Sequence, residues 1–436
     1  MKGRSESRRI ATRLCARHLM QRSLCCGVII LFLLPLQGCW DRREVESLAL
    51  VQALGLDLAA DKKNITVSTM IAIPPKIVSV GGQGGGGGGS ESGAFTISMD
   101  APTIYEAFNR INTTVNRDIT LLQNTVILIG EDLARQGVRD WMDTLVRFRE
   151  MRRTELIFIC KGKAADMMSV QPKLEKNPAE YFRDLSGEYR RNGMFPEVRI
   201  QEFISAFEAN AQDMYAPFFV KYQRKEPGQE KKEGAAKKEA PAGGSADKGQ
   251  AEVSGESLRL AGTAIFKKDR MIGTFDLYES QILLMILGEF QQGYLSVRDP
   301  KKAPYQIAFR LLKSGPPVIK YRRAGDINHF QVKIKLEADL MSIQSRIDYT
   351  TPALERFLAR HIAAIVKRRA EKVIAKAQHY NSDVFNFGSK VRETFLTDRD
   401  WVKYDWPARF KDAQIAVSVK VALRRVGVQF QPPQSR

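Results

Sequence analysis

Residues 47–74, SLALVQALGLDLAADKKNITVSTMIAIP, set the pattern from which the fold is predicted. Two runs rich in Leu, Val, Ile and Thr flank a polar segment at 60–64, which predicts two β-strands joined by a turn. Because later helices and strands mix without one uninterrupted βαβ rhythm, the predicted class is α+β, with several domains of mixed sheets packed with helices and no single doubly wound sheet. These later elements are strands at 94–100, 124–130 and 155–162 and helices at 102–115, 131–151, 177–190 and 199–211.

The second half of the chain continues this mixture. Residues 262–276 hold two apolar runs around Lys267–Arg270, which predicts a β-hairpin, and an apolar helix follows at 278–293. The longest predicted helix covers 351–380 and has an apolar stripe with basic residues mostly off it. We interpret it as an amphipathic helix packed on a sheet, in preference to an RNA-binding or membrane-lying helix. Strands are predicted at 305–313, 317–323, 329–344 and 414–428.

The length of 436 residues predicts several domains, because single hydrophobic cores stop growing near ~250 to 300 residues. We predict an N-terminal α+β domain at 39–198, a middle region at 199–223 and 257–295, and a C-terminal α+β domain at 296–430. Residues 224–256 balance seven basic against seven acidic residues and hold almost no large apolar residue. This composition predicts a disordered charged linker or loop.

The N-terminus has the features of an export signal. Residues 24–36, LCCGVIILFLLPL, form an apolar run after basic residues, shorter than the ~20 residues of a membrane-spanning helix. The following Leu36-Gln37-Gly38-Cys39 resembles the lipobox of bacterial lipoproteins. We therefore predict a signal peptide at 1–38, with Met20 as an alternative start, and lipidation of Cys39. A cleaved leader without lipid and an uncleaved anchor remain alternatives.

Cleavage before Cys39 would leave that residue and Cys160 as the cysteines of the mature chain. If Cys39 is acylated, no intramolecular disulfide can form, and Cys160 is predicted to be a buried strand thiol at the end of LIFIC. Residues 1–38 hold seven basic residues and one acidic, so cleavage lowers the net charge from +19 to +13. We predict that this positive surplus attracts the protein to anionic headgroups or wall polymers near a membrane. We predict no nucleic-acid partner.

Motifs of catalytic chemistry are missing from the sequence. It contains no nucleophile paired with a base, and His329, His361 and His379 form neither HExxH nor a Cys/His zinc pattern. The glycine run at 84–89 is followed by no Lys-Ser or Lys-Thr, so a flexible loop is favoured over a phosphate-binding loop. We predict a protein that is not an enzyme and has no metal site or cofactor.

Three stretches together resemble the Ger(x)C family, the C subunits of the nutrient germinant receptors of spore-forming bacteria. The first is Cys39 with the following Trp40, Asp41 and Glu44, leading into LALVQALGLD. The second is GTAIFKKDRMIGTFD at 262–276. The third is DVFNFGSKVRETF at 383–395, followed by two tryptophans and the final strand.

The resemblance implies a non-enzymatic lipoprotein of several α+β domains on the outer face of the spore inner membrane. It also implies assembly with polytopic A and B subunits into a receptor that triggers germination in response to small nutrients, and tethering to the lipid bilayer through the acylated cysteine. The alternative function is that of an extracytoplasmic substrate-binding lipoprotein, although the sequence lacks the two matching α/β lobes expected of that class. A wall-modifying hydrolase is a third hypothesis for which no active-site residue can be named.

Overall fold

The computed structural model describes residues 44, 47–73, 94–170, 178–223, 256–349 and 351–425. Residues 49–436 form one compact unit, and residues 1–48 form another, of which Glu44, Ser47 and Leu48 are described. The predicted signal peptide, the glycine run and nearly all of the predicted charged linker at 224–256 lie outside the described residues. The elements of residues 49–436 are arranged in two sheets with helices, so the α+β prediction is confirmed.

The first sheet has nine strands in the order β3-β2-β1-β5-β6-β7-β8-β9, with β4 paired to β1. Its centre is parallel, since β1, β5, β6 and β7 pair in that sense, and its outer pairs are antiparallel. The strands are β1 Leu48–Leu58, β2 Ile65–Ala72, β3 Ala94–Ala101, β4 Asp118–Thr120, β5 Val126–Gly130, β6 Leu156–Cys160, β7 Tyr215–Gln223, β8 Glu256–Lys267 and β9 Arg270–Phe275.

The predicted turn between β1 and β2 is closed by a local carboxylate. Asp61 Oδ1 accepts hydrogen bonds from the backbone N–H groups of Lys63 and Asn64, both at 2.9 Å. Side chains of this kind replace missing backbone partners in tight turns. The prediction of two strands around 60–64 is therefore confirmed.

Both faces of the first sheet are covered. The helices of this half are α1 Ile104–Asn112, α2 Glu131–Gln136, α3 Arg139–Arg147, α4 Ala164–Met168, α5 Pro178–Gly187, α6 Tyr189–Asn192 and α7 Ile200–Ala209. One core includes residues of α1, α2, α3 and α7, and the opposite core includes residues of α4 and α5. The predicted single helix at 131–151 is instead α2 and α3, because Gly137 between them has φ 138°.

The second sheet has five strands: β10 Gln292–Arg298, β11 Gln306–Lys313, β12 Val318–Ala324, β13 Ile327–Ile343 and β14 Gln414–Arg425. β11 and β12 pair in succession with the long β13, and β14 runs parallel to it. The break between β11 and β12 contains Pro316 and Pro317, which have no N–H to donate to a ladder. β14 pairs with residues of β13 that also pair with β11 or with β12. β11 and β12 therefore both lie along the other edge of β13.

The helices of the second half are α8 Leu277–Leu287, α9 Pro352–His379, α10 Phe387–Arg392, α11 Asp398–Tyr404 and α12 Trp406–Arg409. α9 buries one side, including Leu358, Ile362 and Val366, in the core that also contains the inner side chains of the second sheet. This confirms the prediction of an amphipathic helix packed on a sheet. Among the described residues, no helix has the length and apolar character needed to cross a membrane.

The strands of the predicted middle region join the first sheet, because β7, β8 and β9 hydrogen-bond in series beside β6. The helix that follows them, α8, contributes Ile282–Ile286 to the core under the second sheet. The same core reaches Ile265 and Phe275 of the first sheet. Packing is thus continuous between the two sheets.

Candidate functional site: a buried carboxylate junction

Two aspartates join the first sheet to the C-terminal segment. Asp213 lies just before β7, and Asp383 lies in the loop between α9 and α10. The Asp213 N–H donates to the Asp383 carbonyl oxygen at 2.9 Å, and the Asp383 N–H donates to Asp213 Oδ2, also at 2.9 Å. This reciprocal pair bridges 170 residues of sequence. We call Asp213, Lys267, Asp383 and Trp406 the junction.

The turn between β8 and β9 supplies the cation of the junction. Lys267 Nζ lies 3.2 Å from Asp213 Oδ2 and also donates to the Pro407 carbonyl oxygen at 3.2 Å. The backbone N–H of Lys268, a residue with φ 53°, donates to Asp213 Oδ1 at 3.1 Å. The Asp213 side chain therefore accepts donors from two other segments of the chain, the β8–β9 turn and the loop at Asp383.

Asp383 organises the C-terminal side of the junction. Its carboxylate accepts hydrogen bonds from the N–H groups of Phe387 at 3.2 Å and Gly388 at 2.8 Å, and from Trp406 Nε1 at 2.8 Å. Burial raises the pKa of Asp383 to about 7, against the lowering effect of these donors. A Cβ at Gly388 would overlap the Ala211 carbonyl oxygen and the Trp406 ring, so this position requires glycine.

A cavity of about 280 Å³ opens onto the junction. Its walls include Arg139, Phe207, Gln212 and Met214 together with three junction residues. Both junction carboxylates already accept backbone and side-chain donors, so their lone pairs are engaged in holding the chain. This geometry couples three chain segments mechanically.

A larger cavity, of about 710 Å³, lies between α7 and the end of α8. Its wall contains Glu202, Tyr215 and Glu289, and the Tyr215 hydroxyl donates to Glu289 Oε1 at 3.5 Å. Burial raises the pKa of Glu289 to about 7, and the nearby charge of Glu202 acts in the same direction. The carboxyl group of Glu289 therefore changes its charge near neutral pH.

A third cavity, of about 520 Å³, is bordered by Asn124, Glu155 and exposed arginines. Glu155 is 2% exposed and accepts hydrogen bonds from Asn124 Nδ2 at 2.5 Å and from the Arg152 N–H at 2.8 Å. Burial raises the pKa of Glu155 to about 7. Its oxygens accept donors from the loops before β5 and before β6, and this structural role is sufficient to account for the residue.

The residues predicted from the lipobox and the motif after it fall mainly outside the described residues. Cys39, Trp40 and Asp41 are among these, and their roles stay predictions. Glu44 is described and exposed, and its carbonyl oxygen accepts hydrogen bonds from the N–H and Oγ of Ser47 at 3.0 and 2.7 Å. The structure does not bring the Glu44 side chain against another described group that would indicate a function.

The cysteine and histidine considered for chemistry in the sequence occupy structural positions. Cys160 is fully buried and burial raises its thiol pKa, which confirms the predicted buried strand thiol. Burial lowers the pKa of His361, and the charge of Arg368 adds to that effect. Among the described residues, no group of three or more Cys, His, Asp or Glu side chains is placed to hold a metal ion.

Two structurally important carboxylates lie in sequence motifs named above, but the sequence did not predict what they bind. Asp57 ends LALVQALGLD, is 2% exposed, and accepts hydrogen bonds from the first N–H groups of α4, Ala164 at 2.6 Å and Ala165 at 3.0 Å. Asp383 begins DVFNFG, where an aspartate before a glycine is the available signal for a turn acceptor. Asp213 stands in AQDMY, which gives no sign of its partners.

Two family models match the chain. The N-terminal domain model of spore germination proteins matches residues 41–221, and the C-terminal model of B3 or GerAC-like spore germination proteins matches residues 261–427. The gap between these matches contains the predicted charged linker. The matches include the second and third stretches that carry the family resemblance, and the first stretch from Asp41 onward.

The chain is also similar over nearly its whole length to individual spore germination proteins. It is 26% identical over 407 residues to YfkR of Bacillus subtilis, covering 93% of this chain and 97% of that protein. Spore germination protein KC of Bacillus subtilis is 21% identical over 419 residues, with 95% and 98% covered. The crystal structure of the GerBC protein aligns with a TM-score of 0.50 at 17% identity, covering 85% of this chain and 96% of that one, which shows a shared fold.

Proposed function

The chain belongs to the Ger(x)C family of spore germination proteins, and from this we propose that it is a lipid-anchored C subunit of a nutrient germinant receptor. The observation that carries the proposal is the ordered match of both family models across residues 41–427. A lipobox at Leu36–Cys39 directly precedes the first match. The proposed location is the outer face of the spore inner membrane.

We propose a non-enzymatic role in assembly and signal transmission with polytopic A and B subunits. The buried junction supports this role, because it links β7, the β8–β9 turn and the C-terminal segment through charged hydrogen bonds. A force or displacement at one sheet would therefore reach the other through Asp213 and Asp383. A diacylated Cys39 would supply two acyl chains, enough for stable residence at a bilayer, where one chain gives marginal binding.

The proposal is tested in spores by three measurements. Mass spectrometry of the native N-terminus should find Cys39 acylated, and affinity isolation from spore membranes should recover polytopic receptor subunits. Deletion of the gene should reduce germination on at least one nutrient of a panel, with the wild-type copy restoring it and a Cys39→Ala copy restoring it poorly. An unmodified Cys39, or isolation without membrane partners, would contradict the proposal.

The second candidate function, an extracytoplasmic substrate-binding lipoprotein, is favoured by the 710 Å³ cavity, whose volume suits a small ligand. Titration calorimetry of the isolated chain against amino acids and sugars separates the two functions. Tight binding that Glu289→Gln weakens, while the exposed Glu208→Gln does not, would favour this candidate. The receptor-subunit proposal expects weak binding or none by the isolated chain.

A further inference from the structure

One face of the second sheet is buried, and the other is exposed. Along β13, Phe330, Val332, Ile334 and Leu336 are 0–3% exposed and contact the core with α8 and α9. Successive strand residues point to opposite faces, so the residues between them lie on the other side. Those residues are exposed, and no described helix packs over them.

Five basic residues cluster on this open side. The register places Lys320 opposite Gln331 and Arg322 opposite His329 in the β12–β13 pair. In the β13–β14 pair it places Lys335 directly opposite Lys420. We call the exposed residues on these three strands the basic face: Lys320, Arg322, Lys333, Lys335 and Lys420.

The positive charges of the basic face are not paired with acidic side chains among the described residues. None of its five residues has an ion pair with another described residue, whereas farther along the same side Arg424 pairs with Glu337 at 2.7 Å and Arg310 with Asp339 at 2.6 Å. Neighbouring strands lie about 4.8 Å apart, and like charges directly opposite each other are destabilising. The Lys335–Lys420 pair thus opposes folding, and an external anion would relieve the repulsion.

The chemistry of the face favours a lipid surface over other anions. Four of the five residues are lysines, hydrated point charges that suit diffuse headgroup charge, while cores of protein interfaces are depleted in lysine. On the open side of these three strands the ring is that of His329, which is half-buried, and the exposed Tyr294 lies two strands away on β10, so the lysines are not interleaved with rings on which nucleic-acid bases could stack. Val318 and Ile327, on the same side and 41% and 44% exposed, could contact the region just below the headgroups.

We propose that the basic face binds anionic lipid headgroups and orients the second sheet against the bilayer. The inference rests on the proposed membrane residence of the chain and adds which surface meets the lipid. Once Cys39 is tethered, binding by the basic face is intramolecular, so a weak contact is sufficient to fix orientation. A second copy of the chain is a poor occupant because the predicted mature chain carries a net charge of +13.

The test uses residues 39–436 with Cys39→Ser, which retain every described element but have neither the hydrophobic leader nor the acylatable thiol. Co-sedimentation is measured with vesicles of phosphatidylcholine alone and of phosphatidylcholine mixed with phosphatidylglycerol. The variant carries Lys333→Gln, Lys335→Gln and Lys420→Gln. The matched control, Arg356→Gln with Arg368→Gln and Lys372→Gln, removes the same charge from exposed positions of α9.

We expect the unsubstituted chain to bind the phosphatidylglycerol vesicles preferentially, and less as salt is raised. Each basic residue at an anionic surface contributes about a fivefold gain in partition, so the variant should bind roughly 100-fold more weakly and the control less than tenfold more weakly. Should the variant unfold, Lys320→Gln with Arg322→Gln on β12 provides the second test, with about a 25-fold loss expected.

Equal binding of variant and control would overturn the proposal, because net charge alone would then account for the attraction. Absence of any preference for phosphatidylglycerol would also overturn the proposal. An acidic protein would then be the expected partner of the basic face. Neither result bears on acylation, since the assay contains no acyl chain. Mass spectrometry of the native N-terminus decides that question independently.

Discussion

The two sheets differ in how many of their faces are buried. In the first sheet, β5 and β6 are buried at every position and separate cores pack on the two faces. In the second sheet, β13 alternates buried and exposed residues over most of its length. The first sheet is therefore buried on both faces and stabilises the fold, whereas the second keeps one face available for a partner.

Truncation of neighbouring residues of β13 that point to opposite faces should give the largest difference in stability. Phe330→Ala on the buried face should lower the free energy of unfolding by about 3–5 kcal/mol, because it leaves a cavity among packed aromatic rings. Gln331→Ala, on the open face, should change it by less than about 0.5 kcal/mol. Urea unfolding followed by circular dichroism measures both. Similar losses would mean that the open face is buried in solution.

The junction should be the next most sensitive position, since it connects the two sheets. Asp383→Ala removes the acceptor of three buried donors and should cost about 3 kcal/mol in the free energy of unfolding. The exposed Asp412→Ala, in the same C-terminal segment, is the matched control and should cost little. If the sheets unfold in separate transitions in the Asp383 variant, the junction is what makes them cooperative. An unchanged unfolding curve would remove it as the connecting element.

Acidity should act on the carboxyl group of Glu289, in the wall of the cavity between α7 and α8. Because burial raises the pKa of Glu289 from its ordinary 4.5 to about 7, the folded chain holds a proton over that interval that the unfolded chain releases. The contribution of this group to stability is therefore greatest at low pH and falls as pH rises through the interval. Glu289 is exposed, so solvent screening reduces the effect, and Glu289→Gln should flatten the pH dependence by less than about 1 kcal/mol between about pH 4.5 and pH 8.

The control for this experiment is Glu208→Gln, which removes an exposed glutamate of the adjacent helix α7. Unfolding by urea is measured for wild type and both variants across the same pH range. A pH dependence that Glu289→Gln leaves unaltered would show that this carboxyl is solvated in the folded protein. The variant should also be slightly more stable than wild type above pH 7, because its neutral amide is not repelled by the charge of Glu202.

The smallest expected effect concerns the open face. Lys335→Glu places opposite charges across the β13–β14 pair and should stabilise the fold by about 0.2–1 kcal/mol. The same change should weaken binding to phosphatidylglycerol vesicles. Thermal unfolding and co-sedimentation of one preparation check both, with Lys372→Glu on α9 as control. Loss of stability would indicate that Lys335 has a structural partner.

Periodicity predicted the strands and helices well where the hydrophobic pattern was strong. β1, β2 and α9 follow from alternating or helical spacing of apolar residues, and the turn at 60–64 from its polar composition. The division of 131–151 into two helices was missed because one glycine with positive φ is compatible with a continued helical pattern in sequence. The predicted domain boundaries, including the middle region, stay predictions.

The site was harder to predict than the fold because its residues are distant in the chain. Asp213 and Asp383 are joined by backbone hydrogen bonds, and nothing in either local sequence indicates a partner far away. The motifs around Lys267 and Trp406 were noticed for their resemblance to a family, without their shared contact. Burial then changes the chemistry of Asp383, because folding removes water from its carboxyl group and raises its pKa.

Sequence alone determined the lipobox prediction, the family resemblance, the positive surplus and the alternation of exposed and buried residues along each strand, because these depend on local order and composition. Tertiary structure decided which lysines share one face and which aspartates meet in the interior. The physical reason is that register and packing bring together residues from distant strands, and both charge repulsion and desolvation depend on those distances in space.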